Sequence, residues 1–261
     1  MSYTVHRGAR KAYRTAKNLD FLLNVPIAHR GLFDERYPEN SLGAFQQAAQ
    51  AGLVSELDVQ LTRDGHPVVF HDEELHRMTG HPGKVNQLTL HQLKKLRLAQ
   101  TAETIPTLQE VVQAAMQTKG LLVEIKSAPH MAQVSRSVWQ TLQDSPFPWA
   151  VESFNPLPLL WFAQHVPKLP RGILIAHPSA YHPLQSALLS PYLVHPILQP
   201  DFWAYELRTL PNKHAQFLRR QGTAVLSWTV RTLDDWHKAK RYSDNLVFDT
   251  LRPPAWEDRE G

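Results

Sequence analysis

The sequence predicts a single (β/α)8 barrel. Short apolar runs with strand character alternate with helical segments along almost the whole chain, and about eight such runs occur. The composition does not shift abruptly at any point, so no second domain is indicated. A length of 261 residues also suits one α/β barrel.

The first 24 residues are predicted to form an extra N-terminal segment that is helical over 9–23. This basic extension contains five bases and one acid. Its net charge of +4 equals the formal net charge of the whole chain. One interpretation is weak peripheral contact between the bases and anionic lipid headgroups. The other, which we favour, is a helix that closes the bottom of the barrel and leaves its bases in solvent.

The barrel is expected over residues 25–254, followed by a short tail at 255–261. Its strands are predicted where apolar runs lie between turn signals. These runs are 25–28, 53–61, 67–70, 121–127, 149–154, 172–175, 192–198, 223–230 and 245–249. The run at 192–198 is the weakest, because three prolines flank or interrupt it.

Helical segments fill the intervals between these runs. Asn40 or Ser41 is a suitable N-cap for a helix that ends at Gly52, and Thr107 caps a helix that reaches about residue 118. The remaining helices are predicted at 89–98, 130–142, 155–165, 211–220 and 233–241.

Two acidic residues lie two positions apart in the run 53–61. Glu56 and Asp58 share one face of that strand, whereas Leu57 and Val59 occupy the other. Like charges on one face of an apolar strand are unfavourable unless a positive charge lies between them, and a divalent cation supplies it. A solvated sheet face is the alternative, but such faces are rare in a parallel sheet covered by helices. The pattern therefore favours a metal site.

The same spacing returns at Glu124 and Lys126, and His29 and His71 directly follow two other apolar runs. Residues at the carboxyl ends of barrel strands lie at the mouth where such barrels place their active sites. We therefore expect these four side chains to converge with the paired carboxylates.

The composition excludes several classes of protein. No cysteine is present, which rules out disulfides, zinc–thiolate sites and cysteine nucleophiles. Beyond residue 24 acids and bases balance, so no nucleic-acid partner is expected. No apolar run approaches the roughly 18 residues of a membrane span, and no secretory signal is evident. A cytoplasmic location is expected, with membrane contact only through the basic extension.

Eight short motifs occur in order along the chain. They are His29-Arg-Gly31, Pro38-Glu-Asn-Ser41, Glu56-Leu-Asp58, Thr62-Arg-Asp-Gly65, His71-Asp72, Ile105-Pro-Thr-Leu108, Glu124-Ile-Lys126 and Ser153-Phe-Asn-Pro156. In identity, order and spacing they resemble the glycerophosphodiester phosphodiesterase family. The similarity extends over about 25–254 and is strongest up to residue 156.

The resemblance implies a (β/α)8 barrel enzyme that cleaves glycerophosphodiesters to sn-glycerol 3-phosphate and an alcohol with the help of a divalent metal ion. It also implies roles for individual residues. These are general acid/base catalysis for His29 and His71, phosphate binding for Arg30 and Lys126, metal ligation for Glu56, Asp58 and Glu124, support of the site for Glu39, and lining of the substrate pocket for Trp228.

The chemistry of the reaction agrees with these residue types. A phosphodiester is an anion, so its cleavage requires positive charge on the phosphoryl oxygens. Two histidines that titrate near neutrality can activate the nucleophile and protonate the leaving alkoxide. Three carboxylates without cysteine favour one oxygen-ligated Mg²⁺ or Ca²⁺ over zinc. Two points stay open: which histidine is the acid, and whether water or the substrate's own 2-hydroxyl attacks.

Three departures from the family pattern concern the pocket. Arg231 stands where the family often has Asn, the segment 243–249 replaces a glycine-containing one, and the insertion between His71 and Glu124 is shortened. Because that insertion borders the substrate, the motifs say least about which alcohol the substrate carries. One alternative is a lysophospholipase D or a phospholipase that forms a cyclic phosphate. Another is a non-catalytic barrel that binds a phospho-ligand.

Overall fold

A closed sheet of parallel strands forms the centre of the molecule. The computed structural model describes residues 18–177, 179 and 198–249. Within these ranges the parallel strands are β1 (Ile27–Ala28), β2 (Val54–Leu61), β4 (Gly120–Ile125), β5 (Trp149–Ser153), β6 (Arg171–Ile175), β7 (Phe202–Glu206), β8 (Ala224–Val230) and β9 (Asn245–Phe248). A further strand, β3 (Pro67–Val69), pairs antiparallel with β2. Because β1 pairs with both β2 and β9, the sheet closes, which confirms the predicted fold class.

Helices occupy most intervals between the strands. In chain order they are α1 (Asp20–Asn24), α2 (Leu42–Gln50), α3 (His76–Thr79), α4 (Leu90–Leu93), α5 (Leu108–Ala114), α6 (Met131–Leu142), α7 (Pro156–His165), α8 (Lys213–Arg220) and α9 (Leu233–Tyr242). The predicted caps are present. The Ser41 hydroxyl accepts a hydrogen bond from the Ala44 N–H, and Thr107 forms a reciprocal cap with Glu110.

Alternation along the strands separates two apolar cores. On β2, Leu57 and Val59 point outward into the large cluster between the barrel and its helices. Residues of the other parity, such as Val54 on β2 and Leu122 on β4, fill the interior of the barrel. The carboxylate-bearing face of β2 is therefore the interior face, at the mouth end of the strand.

The helix α1 closes the end of the barrel opposite the mouth. Phe21 is buried in the interior cluster, and it lies so close to Gly120 that a Cβ there would meet its ring at 2.3 Å. Asn245 of β9 anchors the helix by donating from Nδ2 to the Leu22 carbonyl oxygen at 2.6 Å. The apolar end of the basic extension is thus part of the barrel, whereas residues 1–17 lie outside the described ranges.

One barrel strand differs from the sequence prediction. The run 192–198 lies almost wholly outside the described residues, and the strand between β6 and β8 is β7, which the sequence reasoning missed. Its residues are buried on both sides, so it lacks an alternating pattern, and Pro200 and Asp201 before it resemble a loop. The run at 67–70 does form a strand, but the turn at 62–65 returns it antiparallel to β2.

The connection between β3 and α5 carries a small core of its own. Its members include Phe70, Leu75, Met78 and Leu93. This cluster packs beside the mouth and holds the segment that follows His71. No helix in the described part of the chain is both long enough and apolar enough to cross a bilayer. The predicted barrel end at residue 254 and the tail beyond it lie outside the described ranges.

Candidate active site

Three carboxylates meet at the mouth of the barrel. Glu56 and Asp58 point inward from β2, and Glu124 points inward from β4, where it is in register with Asp58. Each residue is at most 9% exposed, and one oxygen from each lies within 4.8 Å of the others. The spacing of two residues on β2 and the pairing of β2 with β4 together produce this cluster.

Protein groups relieve the repulsion in this cluster only in part. Burial and the charges of Asp58 and Glu124 raise the pKa of Glu56 well above its usual range. Burial also raises the pKa of Glu124 to about 7, although Lys126 opposes the shift. Burial would raise the pKa of Asp58 too, but Lys126 and Arg30 help to hold it below its usual range. A hard divalent cation among these oxygens would remove the remaining repulsion, so the donor set fits Mg²⁺ or Ca²⁺.

Two basic side chains border the carboxylates. Lys126 Nζ lies 2.9 Å from Glu124 Oε1 and 3.2 Å from Asp58 Oδ1. The Arg30 N–H donates to Glu56 Oε2 at 3.0 Å, and Arg30 Nε lies 3.4 Å from Asp58 Oδ2. Burial opposes the charge of both bases, but the neighbouring acids raise the pKa of each above its usual value. Fixed positive charge therefore borders the carboxylate cluster at the cavity, an arrangement that can bind an anion.

The turn after β1 positions Arg30 through left-handed backbone. Arg30 and Asn40 have φ values of 56° and 58°, and Gly31 has a φ of 81°. A Cβ at Gly31 would lie 2.9 Å from the carbonyl carbon of Ala44 in α2, so only glycine fits this approach. Asn40 donates its N–H to the Arg30 carbonyl and its Nδ2 to Asp58 Oδ2 at 2.8 Å. The motifs that contain Arg30 and Asn40 therefore both contact the carboxylate of Asp58.

His29 follows β1 and contacts Asp249, which follows β9. Burial would raise the pKa of Asp249, but hydrogen bonds from His29 and Arg231 hold it below its usual range. The ionised carboxylate therefore accepts from His29 Nδ1, so Nε2 is the ring nitrogen that is left for the cavity. That Nε2 lies 3.9 Å from Glu56 Oε2. Arg231, one of the departures from the family pattern, donates from Nε to the other Asp249 oxygen at 2.7 Å.

A chain of ion pairs joins His71 to Arg30. His71 Nδ1 and Asp72 Oδ1 are 2.6 Å apart, and Arg77 Nε donates to Asp72 Oδ2 at 2.5 Å. Arg77 also donates from Nη2 to Glu39 Oε1 at 2.6 Å, and that oxygen accepts from Arg30 Nη1 at 2.7 Å. Burial lowers the pKa of His71, which favours the neutral imidazole. The segments that follow β1 and β3 are thus tied together by charged hydrogen bonds.

A cavity of about 460 Å³ opens at this mouth. Its lining includes Glu56, Glu124, both histidines and the two bases. The rest of the lining includes an apolar wall formed by Phe154, Leu174 and Trp228. Trp228 meets Phe154 edge to face at 5.6 Å and donates from Nε1 to the Ala204 carbonyl at 3.0 Å, which fixes this wall.

The structure brings all nine predicted site residues into one region. Those that line the cavity are His29, Arg30, Glu56, His71, Glu124, Lys126 and Trp228. Asp58 and Glu39 lie directly behind them and bind the bases. Residues that the sequence reasoning did not assign are Asn40, Asp72, Arg77, Glu152 and Asp249. Asn40 and Asp72 lie within recognised motifs, and the signal for Asp249 was its position directly after the last strand.

Comparison with known proteins places this geometry in a family. The profile of the glycerophosphoryl diester phosphodiesterase family matches residues 29–248. A glycerophosphodiester phosphodiesterase from Caldanaerobacter subterraneus is 31% identical over 236 residues, which cover 85% of this chain and 93% of that protein.

Solved structures share the fold over most of their length. A phosphodiesterase from Oleispira antarctica, in complex with the product sn-glycerol 3-phosphate, has a TM-score of 0.75 at 26% identity and covers 88% of this chain and 95% of its own. A glycerophosphodiester phosphodiesterase from Thermotoga maritima has a TM-score of 0.68 at 24% identity, with coverage of 86% and 93%. The chain belongs to the glycerophosphoryl diester phosphodiesterase family, as its motifs predicted.

Proposed function

We propose that this chain hydrolyses glycerophosphodiesters to sn-glycerol 3-phosphate and an alcohol, with one divalent cation as cofactor. The observation that carries the proposal is the convergence of three buried carboxylates, two carboxylate-bound histidines and two bases on one cavity. The Oleispira antarctica relative holds sn-glycerol 3-phosphate on the same fold. The substrate is therefore a small-molecule phosphodiester.

Glu56, Asp58 and Glu124 would hold the cation, which is Mg²⁺ or Ca²⁺. When bound, such an ion supplies Lewis-acid polarisation of the phosphoryl group. Their support is the oxygen-only donor set and the burial of like charges side by side, which raises the pKa of Glu56 and Glu124.

Arg30 and Lys126 bind the non-bridging phosphate oxygens. Both are cationic, both line the cavity, and both already lie beside the carboxylates that would hold the cation. Glu39 fixes the Arg30 guanidinium through the bond to Nη1, so that little reorganisation is needed when the phosphate arrives. Trp228 forms part of the opposite wall and contacts the organic part of the substrate.

His29 and His71 exchange the protons. In each ring a carboxylate binds Nδ1, which leaves Nε2 for the reaction. One histidine removes a proton from the nucleophile and the other protonates the leaving alkoxide. Their attachment to different strand ends, after β1 and after β3, allows them to reach the phosphorus from different sides.

The proposal is tested by release of sn-glycerol 3-phosphate from glycerophosphoethanolamine. We expect turnover with Mg²⁺ or Ca²⁺, loss with EDTA, and recovery when either ion is returned. His29→Ala and Glu124→Ala should lose activity while they remain folded by circular dichroism. His66→Ala is a matched control, because His66 is exposed and pairs only with Asp64 among the described residues.

Two results would contradict the proposal. One is full turnover by either site variant, and the other is undiminished activity of wild type in EDTA. Separate titrations with Mg²⁺ and Ca²⁺ decide between the two ions.

The expectations of a cytoplasmic location and of membrane contact through the basic extension stay predictions. A truncation that tests the contact should remove residues 1–17 and spare α1, because Phe21 packs inside the barrel. If the bases contact lipid, the truncated protein should lose binding to vesicles that contain anionic lipid and keep its turnover of a soluble diester. If the full-length protein ignores such vesicles, the proposed contact does not exist.

A further inference from the structure

Glu152 is a buried acid in the cavity to which the proposed reaction gives no role. It lies on β5, in register with Glu124 on β4 and with Gly172 on β6. The residue is 2% exposed and lines the cavity, and its Oε2 is buried without a hydrogen-bond partner. Buried polar atoms almost always have a partner, so a missing one points to a group that arrives with a ligand.

The other glutamates of the cavity wall differ from Glu152 in this respect. Glu56 accepts from the Arg30 backbone, and Glu124 pairs with Lys126. Glu206, at the rim, accepts from the His177 N–H at 2.7 Å and pairs with an arginine side chain. Among the described glutamates that line this cavity, Glu152 is thus the one whose buried oxygen is left for a substrate.

The surroundings of Glu152 define what can reach it. Phe154, directly after β5, lines the same cavity and contacts Trp228 edge to face, and Leu174 lines it from β6. A group that enters here passes an apolar wall before it meets the carboxyl group. It therefore needs a short carbon skeleton that ends in a hydrogen-bond donor.

The position of the phosphate sets the reach of that group. In the proposed function the phosphate lies on the Lys126 side, on the strand next to Glu152, and neighbouring strands are about 4.8 Å apart. A group that bridges about one strand spacing is short and lies directly next to the phosphate, as the glycerol unit does. Glycerol is common to all substrates of the class. The alcohol varies in size and charge and requires the open rim, where Arg208 and Arg231 lie.

We propose that Glu152 accepts a hydrogen bond from the terminal hydroxyl of the substrate's glycerol unit and so selects that unit. The inference rests on the proposed function and adds to it the direction in which the substrate lies. A carboxyl oxygen accepts from a hydroxyl in either protonation state, so the contact does not require Glu152 to be ionised. Glu152 is on this view a binding residue with no part in proton transfer.

The test compares two substrates that differ by one hydroxyl. They are glycerophosphoethanolamine and its analogue with a 2-hydroxypropyl group in place of glycerol, which lacks the terminal hydroxyl but keeps the 2-hydroxyl. Wild type should prefer the glycerol substrate by roughly 30-fold in kcat/KM, since a buried polar group is left unpaired by the analogue. Glu152→Leu should reduce this preference to about threefold or less, and Glu152→Gln should keep most of it.

Glu206→Gln is the matched control, because it changes another cavity glutamate outside the carboxylate cluster and should keep the wild-type preference. If Glu152→Leu does not fold, Glu152→Ala gives the same comparison. An unchanged preference in the folded variant overturns the inference and leaves the proposed function intact. A changed preference among ethanolamine, choline and serine diesters, without loss of the hydroxyl preference, also overturns it. Failure of wild type to release sn-glycerol 3-phosphate at all overturns the proposed function itself.

Discussion

Asp249 accepts a hydrogen bond from Nδ1 of His29, although 220 residues separate them along the chain. The contact joins the end of β9 to the end of β1, and these strands are neighbours because the barrel closes there. Arg231 binds the second oxygen of Asp249 and holds the carboxylate in place. Closure of the barrel therefore fixes the orientation and the tautomer of a predicted catalytic histidine.

We predict that Asp249→Asn lowers kcat by about 100-fold with little change in KM. The amide can donate to Nδ1 of His29, which favours the tautomer with its hydrogen on Nε2 and removes the basic atom from the cavity. Steady-state kinetics with glycerophosphoethanolamine measures the effect. Asp244→Asn is the control, since Asp244 precedes the same strand and binds Arg219, remote from the cavity. A wild-type kcat in Asp249→Asn would show that this hydrogen bond does not matter.

Local patterns made much of the site predictable. That Glu56 and Asp58 share one face follows from strand periodicity alone. The caps at Ser41 and Thr107 depend only on residues within the next helical turn. Glu124 could be added because its strand repeats the same pattern. Each of these features is written in a short stretch of sequence.

The missed features depend on contacts between distant segments. Asp249 belongs to the site only because closure of the barrel brings it to His29. Glu152 belongs to it only because β5 pairs with β4 in a register that places it beside Glu124. The strand β7 was missed because burial on both faces removes the alternation that marks a half-buried strand. Sequence periodicity does not carry information of this kind.

The stability of the cation-free protein should fall as pH rises. The pKa of Glu124 is about 7 in the folded protein against 4.5 for the free side chain, and that of Glu56 is also raised. Between these pH values the folded protein keeps a proton that the unfolded chain releases, so the free energy of unfolding decreases by up to about 3 kcal/mol for Glu124. A bound cation would take the place of these protons as the positive charge among the carboxylates. We therefore expect Mg²⁺ or Ca²⁺ to raise Tm more at pH 8 than at pH 5.

Thermal unfolding followed by circular dichroism, with and without EDTA, measures this difference. Glu124→Gln removes the charge without a large change in volume. It should raise the Tm of the cation-free protein at pH 8 and abolish most of the increase on adding the ion. A cation-induced increase in Tm that is equal at both pH values would contradict the assignment of the ion to these carboxylates.

Arg77 is expected to matter for activity although it is half exposed. It binds Asp72, the partner of His71, and also Glu39, the partner of Arg30. Arg77→Ala should reduce kcat/KM by about tenfold, because the proposed proton-transfer group His71 and the proposed phosphate ligand Arg30 both lose a positioning contact.

An exposed ion pair in the same region supplies the control for Arg77. Lys84 pairs with Glu73 at 2.7 Å in solvent, so Lys84→Ala should change neither activity nor stability measurably. Equal kcat/KM values for the Arg77 and Lys84 variants would mean that the chain of ion pairs from His71 to Arg30 has no functional role.

The helix α1 should contribute to stability and not to chemistry. Phe21 is 8% exposed and packs in the barrel interior against Gly120, so Phe21→Ala leaves a cavity and should lower the free energy of unfolding by about 3 kcal/mol. Phe217→Ala is the matched control, because that ring on α8 is 53% exposed and its loss should cost less than about 0.5 kcal/mol. Urea denaturation of both variants gives the two values. Because the carboxylate cluster lies at the opposite end of the barrel, kcat of the folded Phe21 variant should stay near that of wild type. A small stability loss in that variant would show that α1 does not close the barrel in solution.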